Sequence, residues 1–371
     1  MMKLFDNVFY DKTVLITGNT GFKGSWLSVW LNLLGAKVVG LSLDIPTKPS
    51  FYEASKMSDH VHQEYADIRD IEEISRIIKK AQPDFVFHLA AQALVRPSYD
   101  DPLTALTTNA IGSANILESL RSIDKKVVIV MITSDKAYDN LEWAWGYKET
   151  DRLGGKDPYS ASKGMAELAI RSYISSFFNN QDSNIRVGIA RAGNVIGGGD
   201  WAKDRIVVDC MKSWSKNKPA IIRNSNATRP WQHVLEPLSG YLLLASSLVN
   251  SNECHGQAYN FGPSSSQNYP VGDLIREMSK YWEQVQWKDA SEENSPVYEA
   301  GLLKLNCDKA LFDLNWLPSL QFEETVKMTV EWYKVFYEKF DNSMYDFSVE
   351  QISEYIDYSK SRNIKWSIYD S

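Results

Sequence analysis

The chain is poor in the residues that build cross-links and metal centres, with three cysteines and five histidines in 371 residues. Cys210, Cys254 and Cys307 lie far apart and share no metal-ligand or redox spacing. Their odd number and scatter read as reduced thiols of a cytoplasmic protein. His60, His62, His88, His233 and His255 form no H-E-x-x-H or related cluster, so no metal is implied. Long apolar runs are missing too: none approaches the ~20 residues of a membrane span. Met1–Asp11 mixes charges and aromatics and lacks the apolar block of a signal peptide. Positive charge is in deficit, with 40 Lys and Arg against 47 Asp and Glu and a net charge of -7. Such a chain repels nucleic acid and anionic membranes, so an anionic ligand has to be held by a local site. There is no internal repeat and no low-complexity linker.

What remains is the composition of a folded protein, 44% hydrophobic and 23% charged, long enough for about two domains. The first half alternates apolar runs with amphipathic stretches. Strands are expected at Val14–Thr17, Val38–Leu43, just before Asp67, Phe85–Leu89, Val127–Thr133 and Val187–Ala190. Helices are expected at Phe22–Leu34, Ile71–Lys80, Pro102–Ser122 and Pro158–Phe178. Continuous apolar strands separated by helices predict a doubly wound α/β fold, a Rossmann-type parallel sheet covered on both faces. After about Ala192 the elements shorten: a strand at Trp231–Leu235, helices at Pro237–Leu248, Val271–Trp282, Phe322–Phe336 and Val349–Ser359, and a surface loop at Ser291–Pro296. The expected division is a sheet domain of residues 1–192 plus about 230–262, and a smaller C-terminal lobe of about 193–229 plus 263–371.

Between the first strand and first helix, Thr17-Gly18-Asn19-Thr20-Gly21-Phe22-Lys23-Gly24 spaces its glycines G-x-x-G-x-x-G. A tight turn, close backbone approach to a pyrophosphate and close helix–strand packing each demand the absence of a Cβ. The helix N-terminus adds free N–H groups and positive dipole. Asp44, just past the second strand, is the candidate for an adenosine ribose, or else part of a capped loop before Pro46. Asp67 and Ile68 are candidates to line an adenine, with a plain helix cap at Asp70 as the other reading.

Tyr159 and Lys163 stand four apart at a helix start, on one face. An ammonium beside a phenol favours the phenolate, which makes Tyr159 a candidate base. The same spacing also occurs in ordinary surface helix pairs. Ser134, at the carboxyl end of the Val127–Thr133 strand, can hydrogen-bond the oxygen that Tyr159 deprotonates.

With the glycine turn, Ser134, Tyr159 and Lys163 in place, the chain resembles the extended short-chain dehydrogenase/reductases. That resemblance implies NAD in the sheet domain, with Ala90 and Ala91 of His88-Leu89-Ala90-Ala91-Gln92 beside it, and a nucleotide sugar in the smaller lobe. Asn109 matches a helix asparagine of the family and reads as structural. Asp135 and Lys136, directly after Ser134, resemble the acid–base pair of sugar-nucleotide 4,6-dehydratases, with Asp135 as general acid and Lys136 as base. Relatives acting on dTDP-glucose usually carry glutamate at the second position; the Asp-Lys form is similar to the branch acting on CDP-glucose and to some enzymes acting on UDP-N-acetylglucosamine. The implied chemistry is oxidation at C4, loss of water across C5 and C6, and return of the hydride to C6, as in deoxysugar biosynthesis for surface polysaccharide such as the O-antigen. Asn194, Arg205, Arg229 and Arg96 are the candidates for the sugar nucleotide. His233 reads as a structural hydrogen-bonder. A homodimer or homotetramer through the helices at 102–122 and 158–178 is also implied. A dehydratase for dTDP-glucose, GDP-mannose or UDP-N-acetylglucosamine, a C4 epimerase and a non-catalytic NAD-binding scaffold stand as alternatives.

Overall fold

A computed structural model describes residues 3–179, 183–222, 224–264, 267–283, 285–290, 302–338 and 343–368. The expected loop at Ser291–Pro296 falls outside them. The first six strands are β1 (Thr13–Thr17), β2 (Lys37–Ser42), β3 (His62–Tyr65), β4 (Phe85–His88), β5 (Val127–Ile132) and β6 (Ile185–Ala192). A seventh, β7 (Ala258–Phe261), pairs with β6. All pairings are parallel, in the order β7-β6-β5-β4-β1-β2-β3.

Strand β5 shows why the sheet is covered on both sides. Every residue of Val-Val-Ile-Val-Met-Ile is buried. With a period of two, Val128, Val130 and Ile132 pack into one hydrophobic core, and Val127, Ile129 and Met131 into the other. Helices α1 (Phe22–Leu33) and α6 (Leu235–Asn250) cover the first side. Helices α2 (Ile71–Ala81), α3 (Gly112–Leu120) and α4 (Pro158–Tyr173) cover the second. Helix α5 (Ile206–Trp214) follows β6, and the tail contributes α7 (Phe322–Glu338) and α8 (Met344–Ser361).

Three expectations change. The helix predicted over Pro102–Ser122 is one run with a π turn at Thr107–Ile111. The strand predicted at Trp231–Leu235 reduces to Gln232–His233, because α6 begins at Leu235 and takes the remaining apolar residues onto the sheet. The helix predicted to Trp282 ends at Met278.

The strand order reverses between β1 and β4, which opens a crevice at the carboxyl edge, where doubly wound folds bind ligands. The loop after β6 is fixed at the rim of this crevice. Trp26 of α1 donates to the Gly198 carbonyl at 2.9 Å. A Cβ at Gly198 would lie 2.0 Å from the ring of Trp332, so only glycine lets α7 pack against that turn.

Candidate active site

The glycine turn has the backbone geometry its sequence foretells. Gly18 has φ +75°, and a Cβ there would lie 2.8 Å from the Ala90 amide nitrogen. A Cβ on Gly24 would lie 2.2 Å from the Gly18 carbonyl oxygen, so helix and turn touch backbone to backbone. Gly21 is the N-cap of α1 and no side chain caps the helix. The Ser25 N–H reaches back to the Gly21 carbonyl, so the amides of residues 22–24 are the orphan donors of the first turn. Beneath the turn, buried Asn19 donates to Gln63 Oε1 at 2.6 Å and accepts from Ser42 Oγ at 2.8 Å, clamping the turn to β2 and β3. The Asn19 clamp was not foreseen; its only trace in the sequence is an amide-bearing residue inside the glycine run. The turn, with its missing Cβ atoms and free amides, fits a dinucleotide pyrophosphate.

The turn opens into a cleft of about 1140 Å³. Gly18, Thr20, Gly21, Phe22, Lys23, Gly24, Asp44, Asp67, Ile68, Ala90 and Ala91 line one part. Thr20 donates to the Asp44 carbonyl at 2.6 Å, while the exposed Asp44 carboxylate stands at the mouth. The Asp67 carboxylate is gripped by Arg69, which holds it below the usual carboxylate range. Ser134, Asp135, Lys136, Tyr159 and Lys163 line the middle, and Arg96, Asn194, Arg205 and Arg229 the rest. The structure therefore brings the whole predicted set into one cavity.

At its centre, Ser134 follows β5 by two residues and caps a 3₁₀ turn, Asp135–Ala137, accepting from the Lys136 N–H at 3.2 Å. Its hydroxyl donates to Asp135 Oδ1 at 2.9 Å. Asp135 is buried, and burial pushes its carboxyl upward against the opposing pull of Lys136, Ser134 and Lys23. Tyr159 enters from the first turn of α4, which Asp157 caps by accepting from the Ser160 N–H at 2.9 Å. Ser134 pulls the Tyr159 pKa down, against burial.

Burial dominates and pushes Tyr159 up to about 12. The Lys163 Nζ stands 6.0 Å from the ring centroid, and burial pushes its own pKa down to about 8. A second cation adjoins this group: Lys23 is pushed down to about 8 by burial, then by Arg205, with Asp135 opposing. Arg205 is held by Asp200 at 2.7 Å, and Arg96 pairs with Asp204 at 3.4 Å. Asp200 lies inside the Gly-Gly-Gly-Asp-Trp run but was given no role from the sequence.

The supports are structural. Asn109, in the π turn, donates to Ser162 Oγ at 2.7 Å and to the Gln92 carbonyl at 3.0 Å. His88 bridges Thr17 at 2.7 Å and Ser113 at 3.1 Å, and burial drives its pKa to about 3. His233 is likewise held near 3 by burial and stays neutral. Behind the strand ends lies an ion pair invisible in the sequence. Arg191 of β6 grips Glu167 of α4 through two nitrogens, and both side chains are fully buried. Glu167 also accepts from Thr133 Oγ1 at 2.7 Å, which ties the end of β5 to α4.

The chain is similar to several known proteins. The chain is 43% identical over 354 residues to the CDP-glucose 4,6-dehydratase of Salmonella typhimurium, covering 94% of this chain and 98% of that protein. It is 25% identical to the CDP-paratose 2-epimerase of Salmonella typhi, over 86% of this chain and 98% of that one. Among solved structures, a UDP-glucose 4-epimerase of Thermotoga maritima superposes with a TM-score of 0.74 at 22% identity, over 88% of this chain and 100% of that one. A Thermus thermophilus UDP-glucose 4-epimerase gives 0.72 at 23% identity, over 87% and 99%. These two likenesses establish the fold. Residues 15–329 match the family described as GDP-mannose 4,6 dehydratase, and the chain belongs to that family.

Proposed function

We propose that the chain is an NAD-dependent hydro-lyase that converts CDP-glucose into CDP-4-keto-6-deoxyglucose, a step of deoxysugar biosynthesis. The observation that carries the reading is the Ser134-Asp135-Lys136 turn, with Ser134 and Asp135 buried, lining one cleft with Tyr159. A C4 epimerase needs one base at O4. This site has a further carboxyl and amine beside that base, which is what removal of water across C5 and C6 requires. The choice of CDP-glucose is supported by the similarity to the Salmonella typhimurium dehydratase.

In this reading residues 1–192 with about 230–262 hold NAD. The turn at Gly18–Gly24 takes the pyrophosphate, Asp44 the ribose, Asp67 and Ile68 the adenine, and Ala90 and Ala91 flank the dinucleotide. When bound, NAD accepts a hydride from C4 and gives it back at C6. Tyr159 takes the O4 proton, helped by Lys163 and Ser134. The ketone acidifies C5, Lys136 takes the C5 proton, and Asp135 gives a proton to the departing 6-hydroxyl. Asn194, Arg205, Arg229 and Arg96, in or beside the second lobe of about 193–229 and 263–371, hold the diphosphate and sugar by charge-assisted hydrogen bonds. A homodimer or homotetramer fits the apolar side chains exposed on two neighbouring helical runs: Leu103 and Ile111 on one, Met165, Leu168 and Phe177 on the other. Among the described residues no helix is long and apolar enough to cross a membrane.

The test is incubation with CDP-glucose, addition of alkali and measurement of the ultraviolet absorbance of a 4-keto-6-deoxy sugar. Signal with CDP-glucose is expected. Signal only with dTDP-glucose, GDP-mannose or UDP-N-acetylglucosamine rejects the substrate and keeps the reaction; no signal with any rejects the reaction.

A further inference from the structure

Asp135 and Gly193 belong to the wall of the large cleft and also to that of a second, small cavity of about 10 Å³. Gln232, Ser264 and Lys304 line the small one and not the cleft. One water needs about 10–15 Å³, so this space has room for a single water and for nothing larger.

Two acceptors stand on its wall. Gln232 is 1% exposed. Its Nε2 donates to the Phe261 carbonyl at 3.3 Å, which fixes the orientation of the amide. Its Oε1 is buried and has no hydrogen-bond partner among the described residues. A buried acceptor without a donor is costly, and folded proteins almost always supply one from the chain or from ordered water. Asp135 is the other acceptor. Its Oδ1 accepts from Ser134 at 2.9 Å. Its Oδ2 lies on the Gly193 side, 3.1 Å from where a Cβ on Gly193 would stand, so glycine keeps the space beside that oxygen open. Two acceptors around room for one small molecule match water, which has two hydrogens to give.

We propose that this cavity binds one water, which donates to Gln232 Oε1 and to Asp135 Oδ2 and so holds the carboxyl of the general acid in place. Gln232 is then a positioning residue that acts on the sugar only through the water and Asp135. This inference rests on the role given above to Asp135. A donor aimed at a carboxyl oxygen favours the ionised form. The water therefore offsets part of the burial that pushes Asp135 upward. The charged and titratable groups facing Asp135 are Lys136, Lys23 and Tyr159, with Lys304 on the wall of the small cavity.

The first test is a high-resolution crystal structure of the unaltered protein. A water within about 3.2 Å of both Gln232 Oε1 and an Asp135 carboxyl oxygen is expected. A cavity closed by side chains, or a Gln232 amide that gives its own N–H to Asp135, overturns the site. The second test is the pH dependence of CDP-glucose dehydration. The fall in rate at high pH reports the acid losing its proton, and Asp135→Asn identifies that limb by abolishing it. Gln232→Met removes the acceptor, and Gly193→Ala fills the space. In both, the carboxyl keeps its proton to higher pH, so the midpoint of the limb should rise by at least about half a unit. A lowered rate with an unmoved midpoint in both variants overturns the positioning role, because a merely structural residue would act in that way. Where Gln232→Met does not fold, Gly193→Ala and the crystal structure decide. An unaltered protein that dehydrates no nucleotide hexose overturns the functional reading, while the crystal structure still decides whether the water is there.

Discussion

Arg191 and Glu167 lock the carboxyl end of the sheet to the helix that carries Tyr159 and Lys163. Both side chains are fully buried. Glu167 accepts from Arg191 Nε at 2.6 Å and from Thr133 at 2.7 Å, and Arg191 also donates to the Tyr138 hydroxyl at 2.6 Å. Arg191→Met would leave the carboxylate with the Thr133 hydroxyl and an ion pair with Arg171 at 3.8 Å. Removing one partner of a buried pair typically costs about 3–5 kcal/mol, because the other charge stays out of water. Unfolding entropy of ~2.1 cal/mol/K per residue gives about 0.8 kcal/mol per degree for this length, so the melting temperature should fall by roughly 4–6 °C. The double variant Glu167→Met, Arg191→Met should lose at least ~2 kcal/mol less than the two single losses added together. The assay is thermal and urea unfolding at fixed cofactor concentration. A single-variant loss below ~1 kcal/mol, or strict additivity, would refute the argument by giving the pair the weight of a surface contact.

Two further outcomes concern the site and a third a buried carboxyl outside it. Asp135→Asn and Lys136→Met should each lower dehydration by about 10²–10⁴-fold; in heavy water, Asp135→Asn should still take up deuterium at C5 and Lys136→Met should not, and the reverse pattern would exchange their roles. Gly24→Ala pushes a methyl to within 2.2 Å of the Gly18 carbonyl oxygen, so calorimetry should show NAD affinity falling by at least about tenfold, at a stability cost of about 1–3 kcal/mol; unchanged affinity would contradict the cradle. Glu236 accepts from the Ser319 and Leu320 amides, yet burial pushes its pKa up to about 7 from 4.5. At this site the folded state then binds more protons, so the contribution of Glu236 to stability is fully present below about pH 4.5 and about 3 kcal/mol of it is lost as pH rises to 7; Glu236→Gln should remove that component of the slope in unfolding curves.

The parallel sheet was legible because β5 and its neighbours are uninterrupted apolar runs, and the phosphate turn because only glycine meets its backbone demands. Strand β7 gave no such sign. Ala-Tyr-Asn-Phe carries a buried amide, satisfied by the Tyr147 and Asn306 carbonyls at 2.9 and 3.0 Å and accepting from Tyr138 at 2.8 Å. Those partners lie far away in sequence, and periodicity carries no information about them. Arg191 and Glu167 were hidden for the same reason. The candidate catalytic group was readable as residue types at a strand end and a helix start, and the fold brings those residues to one cleft. The burial that pushes Tyr159 upward is a property of the assembled fold and is carried by no spacing. The commitment of the Ser134 proton to Asp135 likewise depends on a side-chain rotation that no spacing encodes.

The most direct test of the elimination chemistry is the fate of the hydrogen on C4. With CDP-glucose carrying deuterium at C4, the product should carry that deuterium at C6, measured by mass spectrometry and NMR in ordinary water. Deuterium left at C4, or lost to solvent with C6 bearing only protium, would contradict the account.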